Sequence, residues 1–170
     1  CCSYGGGGNA WIRWDGASVL IHEWGHAVGE PHANWWNPAT DDPIGPGTHE
    51  EYGNKFDNMG GGGIEEDFGA MHKALVKWMP ATNYWTVTSN GTYRIYAHDQ
   101  PTLTSANRYG VKVFRPSRDD TQYWLEYRAY TVTGANALYW TNGLAVTREW
   151  DWELLDMTPG SAKGKDDCPL

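Results

Sequence analysis

The spacing of apolar residues along this chain changes period near Pro80. Before it, Val19, Leu20, Ile21, Trp24, Ala27 and Val28 recur at helical intervals and cover a broad face, which predicts a helix buried in a domain centre. Asp15 or Ser18 is placed to cap its start. Phe68, Met71, Leu75 and Trp78 repeat the helical spacing and predict a second helix over Glu65 to Met79, ended by Pro80. Cys1 to Asn9 reads as glycine-rich loop, and Ala10 to Trp14 alternates as a short strand broken by Asp15-Gly16. Between the helices, Ala33 to Gly53 shows no period and carries Pro38, Pro43 and Pro46, which predicts a long loop.

After Pro80 the period becomes two. Tyr84 to Thr88, Thr92 to Ala97, Gly110 to Arg115, Gln122 to Tyr130, Gly143 to Glu149 and Trp152 to Leu155 are predicted strands, separated by turn signals such as Ser89-Asn90-Gly91 and Thr141-Asn142-Gly143. The expected class is therefore α+β, with a helical unit over residues 1–80 followed by a β-sandwich-like unit over residues 81–170. Glu126 and Arg128, two apart on one strand face, are expected to be structural partners of neighbouring strands rather than catalysts.

A length of 170 residues suits one ordinary domain, or a small domain with part of another. The formal net charge of −8 argues against a nucleic-acid partner, because phosphate binding needs a basic stripe that is absent from the sequence. No apolar run reaches the roughly 18 residues that cross a bilayer. Cys1 and Cys2 sit at one end and Cys168 near the other, so either Cys168 bridges to one of them or a partner is missing; both favour an extracellular protein. Asp41, Asp42, Glu50 and Glu51 leave room for a Ca2+ site in the long loop, beside the plainer reading of a solvated acidic segment.

The chemistry concentrates in His22-Glu23-Trp24-Gly25-His26-Ala27-Val28-Gly29-Glu30-Pro31-His32. Residues four apart lie one above the other on a helix, so His22 and His26 can offer two nitrogens to one ion. His32 cannot join them on a continuing helix, because ten residues rise about 15 Å. Gly29 permits the chain to turn back, and Pro31 prevents the helix from resuming. Three imidazoles leave one tetrahedral position open, the pattern of a catalytic zinc site, and Glu23 is within reach of a water held there.

This HExxHxxGxxH stretch resembles the signature of the metzincin zinc endopeptidases. Tyr52-Gly53-Asn54-Lys55-Phe56-Asp57-Asn58-Met59-Gly60 is similar to the Met-turn region of the gametolysin-like branch, and segments around Tyr123 to Arg128 and Leu154 to Gly160 are similar to sequences after the catalytic half of bacterial gametolysin-like proteins. The resemblance implies Zn2+ held by His22, His26 and His32, Glu23 as general base, Met59 beneath the metal, and secreted action on protein or glycoprotein substrates. It implies a zincin-like fold for residues 1–80, whose substrate-binding edge strand is expected in sequence upstream of Cys1. Gly61 stands where other branches carry a tyrosine two residues after the methionine, and Tyr52 is positioned to approach the site from the other side. His72 is expected to be a packing or surface histidine.

A second reading belongs to another class. Trp35, Trp36, Trp124, Trp140, Trp150 and Trp152 would suit a non-catalytic, zinc-scaffolded module that binds glycans or glycoproteins, if they are exposed rather than core.

Overall fold

A computed structural model describes residues 3–13, 16–61, 66–115, 121–130 and 137–161, with the side chains of 137–139 excluded. It is a mixed α+β fold: one seven-stranded sheet, a two-stranded hairpin and short helices. Among the described residues, no helix is long and apolar enough to cross a membrane.

Strands β1 (Tyr4–Gly6) and β2 (Asn9–Trp11) form the hairpin, so the expected opening loop is half of a strand pair. The reason is the two-residue turn: Gly7 and Gly8 both take positive φ, at 57° and 79°, as tight antiparallel hairpins require. The hairpin rests on helix α1 (Ala17–Val28), where a Cβ on Gly5 would fall 1.9 Å from the Glu23 carbonyl oxygen. Only glycine allows that approach.

The segment after α1 departs most from expectation. Asn34–Pro38 (β3) and Gly47–Glu50 (β4) pair antiparallel where a structureless loop is predicted. β3 lacks an alternating pattern because both of its faces are covered. Trp35 packs with Phe56, Trp140, Ala145 and Leu154, while Trp36 turns to the other face beside Tyr123, Val146 and Leu155.

The remaining strands are β5 (Tyr84–Val87), β6 (Gly110–Arg115), β7 (Thr121–Glu126), β8 (Ala145–Arg148) and β9 (Glu153–Leu155), and the sheet order is β4-β3-β9-β8-β7-β6-β5. β3 pairs parallel with β9, and β5 parallel with β6. The expected β-sandwich is therefore a single sheet, and it draws strands from both sides of residue 80. Period-two patterning predicts strands, but sheet membership depends on pairings far apart in sequence.

Other boundaries moved for local reasons. Helix α2 is Ala70–Leu75, far shorter than the predicted Glu65 to Met79. Its start is set from outside, since the Gly69 and Ala70 N–H groups donate to the buried Asp57 and Glu126 carboxylates. Lys77, at φ 66°, turns the chain away after its end. Thr92 to Ala97 makes one backbone bond, Tyr96 N–H to the Arg108 carbonyl, and is not a strand. β7 stops at Glu126 because Arg128 turns into the interior and Asp99 captures the Ala129 and Tyr130 N–H groups. A third helix, α3 (Ala137–Asn142), lies between β7 and β8 where the sequence suggests only a turn.

Candidate metal centre

Helix α1 starts at Gly16 without a side-chain cap, so Ser18 lies within its first turn, and Asp15 falls outside the described residues. It ends at Gly29, whose φ of 105° is left-handed. There the Gly29 N–H donates to the His26 carbonyl and the Glu30 N–H to the Gly25 carbonyl, a Schellman pair that closes the helix and reverses the chain. Glycine is required because a Cβ would oppose that φ. The reversal returns His32 to the face that carries His22 and His26.

The three imidazoles converge. Their ligating nitrogens lie within 4.8 Å of one another, and the ring centroids of His22–His26 and His26–His32 are each 4.7 Å apart. Each ring donates through Nδ1: His22 to the Asn58 carbonyl at 2.9 Å, His26 to the Glu30 carbonyl at 2.8 Å, and His32 to Glu51 Oε1 at 2.7 Å. In the neutral imidazole the proton is thereby committed to Nδ1, and every Nε2 presents a bare lone pair inward. His26 Nε2 and His32 Nε2 face each other at 3.0 Å. With no hydrogen between them two lone pairs repel, and a cation placed among them removes the conflict.

Three neutral imidazole nitrogens suit a divalent metal ion such as zinc, copper or nickel. Tetrahedral zinc bound at 2.0–2.1 Å would separate its nitrogens by about 3.3 Å, near the 3.0 Å between His26 Nε2 and His32 Nε2, the three nitrogens as a set lying within 4.8 Å. Burial holds His22 below its ordinary pKa, against the opposing effect of its bond to Asn58, and so favours the neutral ligand form.

Met59 packs against the helix that carries His22 and His26. It is fully buried among Ala33, Phe68 and Ile21, in a turn where the Gly60 N–H donates to the Asp57 carbonyl and the Met59 N–H to Asp57 Oδ1. Its thioether sits against the backbone of α1. A Cβ on Gly25 would come within 2.3 Å of Met59 Sδ, so Gly25 is what lets the turn approach the helix. Sequence reasoning missed Gly25, along with Asn58, Glu30 and Glu51 as the partners that orient the imidazoles; the glycine inside an otherwise helical pattern was the available signal.

Glu23 lines an open cleft of about 220 Å³ with Ser18, Val19, His22, Tyr52, Asn58 and Gly60. The Tyr52 ring borders the imidazoles, its centroid 4.0 Å from that of His32 and 5.7 Å from that of His22. Its φ of 60° is unusual for a bulky residue and is held by the Tyr52 N–H bond to Asn34 Oδ1. Burial raises the Tyr52 pKa, reinforced by the charges of Glu51 and Glu23, so its hydroxyl keeps its proton.

A polar network underlies the site. Asp57 Oδ2 accepts from His72 Nδ1 at 2.9 Å, and both residues are buried. Burial disfavours both charges, but their mutual attraction wins, lowering the Asp57 pKa and raising that of His72. Glu126 and Arg128 pair with each other rather than with neighbouring strands as expected: β7 ends at Glu126, which accepts from the Ala70 N–H, and Arg128 also donates to the Phe56 carbonyl. Glu126 is held well below the carboxylate range although burial opposes this, because the Arg128 guanidinium and His98 lie beside it. Glu30 differs: burial pushes its carboxyl up to about 8, and the nearby His72 only partly offsets this.

The other candidates fall elsewhere. Asp41, Asp42, Glu50 and Glu51 do not converge on one site among the described residues; Glu51 is engaged by His32, and Asp42 accepts from the Ile44 N–H. A separate group, His49, Asp151 and Glu153, has its buried Glu153 oxygens occupied by His49 and Arg148, which makes it an ion-pair cluster. Trp35, Trp124 and Trp140 are core, Trp36 lies under Arg148, Trp152 stacks beside His72, and Trp150 is 62% exposed. Cys1, Cys2 and Cys168 fall outside the described residues. Comparison of the chain with protein-family models, with curated proteins and with solved structures gave no match.

Proposed function

We propose that this chain is the catalytic part of a secreted zinc-dependent endopeptidase of metzincin type, resembling the gametolysins and acting on extracellular proteins or glycoproteins. The observation that carries this reading is the inward set of three Nε2 lone pairs, each ring oriented through Nδ1, beside a carboxylate that lines the same cleft. His22, His26 and His32 would hold the metal, which when bound supplies a water acidified to a pKa near 7 and a Lewis acid for a carbonyl.

The chain's own groups supply the rest. Glu23 accepts the proton of the attacking water and returns it to the leaving amine, as a partly exposed carboxylate at the cleft wall is able to do. The Tyr52 ring borders the imidazole cluster, and its protonated hydroxyl is available to donate to an oxygen that gains charge. Met59 and the Asp57 turn keep α1 in place from below, so His22 and His26 keep their aim. The open cleft suits an extended peptide rather than an enclosed small molecule.

The test is cleavage of an unfolded protein substrate by the zinc-loaded protein, by the chelated protein, and by a Glu23→Ala variant. Chelator-sensitive cleavage that falls by at least about 10²-fold in the variant is expected for loss of a general base. A zinc-loaded Glu23→Ala protein that cleaves at the parental rate would refute the assignment.

A further inference from the structure

Arg148 pairs with Glu153 across β8 and β9, so the chain between them, Glu149 to Trp152, is a short connecting loop. Within it Asp151 and Trp152 both take left-handed φ, at 53° and 57°. A bulky side chain in that region is an outlier, and such strain persists only where the surroundings enforce it, most often at binding sites. Two anchors enforce it here. The Asp151 carbonyl accepts from Asn34 Nδ2 at 2.7 Å, and the Trp152 ring stacks beside His72 at 5.4 Å. The loop is thereby fixed with Trp150 and Asp151 facing outward, Trp150 at 62% exposure.

These two side chains line a cavity of about 280 Å³ together with Trp36, Thr121 and Arg148. Arg148 donates through Nε and Nη2 to Glu153 Oε2, and its guanidinium lies over the Trp36 ring at 4.5 Å. Both contacts hold the fork still and leave Nη1 without a partner among the described residues. The Asp151 carboxylate accepts no hydrogen bond among the described residues either. The cavity therefore presents a fixed donor, a fixed acceptor and an exposed indole.

Charge narrows what fits. An anion meets Asp151 and a cation meets Arg148, whose guanidinium already covers a face of Trp36. A neutral molecule escapes both conflicts if its hydroxyls donate as well as accept and it has an apolar face to lay on an indole. A pyranose ring has these properties. Ligand cavities run from about 300 to 1,000 Å³, so this one suits a single ring rather than a peptide segment.

We infer that the cavity lined by Trp36, Arg148, Trp150 and Asp151 binds one neutral hexopyranose unit of a glycan. Trp150 stacks on the apolar face of the ring, while Asp151 accepts from one hydroxyl and Arg148 Nη1 donates to another. The site stands independently of the metal centre. Its use in drawing a glycoprotein to the cleft does rest on the peptidase reading: Trp36 follows His32 by four residues, so their Cα atoms are at most about 14 Å apart.

The experiment titrates the chelator-treated protein with the methyl glycosides of glucose, galactose and mannose, and with acetate and methylammonium as charged controls. Binding is read by tryptophan fluorescence and calorimetry, in the parent and in Trp150→Ala and Asp151→Gly variants. At least one glycoside is expected to bind saturably with Kd about 1 mM, the affinity that drug-like ligand efficiency gives for a dozen or so heavy atoms. Each variant should weaken that binding about tenfold. Asp151→Gly separates recognition from folding, because glycine adopts a φ of 53° without strain and the variant should melt no lower than the parent while losing the sugar.

Absence of saturable binding by every glycoside up to about 50 mM would overturn the inference. So would parental affinity in both variants, which would place the sugar elsewhere, or tighter binding of either charged control with the same dependence on Trp150 and Asp151. Sugar binding by a protein without peptidase activity would leave this site intact and refute only the proposed function.

Discussion

Replacing Glu30 by glutamine changes the pH dependence of stability in a way that can be worked from its surroundings. The carboxyl is 3% exposed, and burial moves its pKa from an ordinary 4.5 to about 8. The folded state therefore keeps a proton that the unfolded state has released. Stability falls wherever the folded state binds more protons, so the stabilising contribution is fully present below about pH 4.5 and is lost as pH rises toward 8. The slope between these limits is about 1.4 kcal/mol per pH unit, and the loss from pH 5 to pH 7 is about 2.5 kcal/mol. Glutamine does not titrate and removes this dependence without changing the shape of the side chain. Urea unfolding of the metal-free parent and the Glu30→Gln variant, followed by tryptophan fluorescence at half-unit pH steps, isolates the effect because other titrating groups are common to both. The variant should gain on the parent steadily with pH and level off past about pH 8. A difference that stays flat between pH 5 and pH 8 would show that Glu30 is solvated or paired in the folded state, and would refute the burial argument.

Three further outcomes follow from particular contacts. Alanine in place of glycine inside a helix normally gains about 1 kcal/mol, but Gly25→Ala sets a Cβ 2.3 Å from Met59 Sδ in a closed core, and overpacking costs about 1–3 kcal/mol. Thermal unfolding should therefore show a loss of about 1 kcal/mol, and a gain would mean that Met59 has room to withdraw. Glu51→Ala removes the side-chain acceptor that orients one imidazole of the proposed metal centre, at 2.7 Å from His32 Nδ1, and should weaken zinc binding about 10–100-fold in chelator competition with little change in the melting temperature of the metal-free protein. Arg128→Met leaves the buried Glu126 carboxylate without its guanidinium, which should cost about 3–5 kcal/mol in chemical denaturation. The additional removal of charge in an Arg128→Met/Glu126→Gln double variant should recover much of that loss.

By itself the sequence determined the reactive stretch and the local rules that shape it. His22 and His26 share a helix face because of the 3.6-residue period, and Gly29 with Pro31 forces the chain back, so the approach of His32 follows from spacing and backbone sterics alone. The strands at Tyr84–Val87 and Gly110–Arg115 were equally legible, since alternation along a strand is a local property. What the tertiary structure decided lies in contacts between distant residues. β3 was hidden because its two faces pack on separate clusters, which erases the alternation that marks a strand. Helix α1, apolar on a broad face, leaves Leu20, Trp24 and Val28 exposed, and nothing in its own sequence distinguishes that stripe from the side that meets Met59. The acceptors that aim the imidazoles come from Asn58, Glu30 and Glu51, two of them backbone carbonyls that every residue carries and no sequence pattern marks. The role of Gly25 and the isolation of the Glu30 carboxyl likewise emerge only when the turn at Met59 closes on the helix, because close approach and burial are properties of the packed chain.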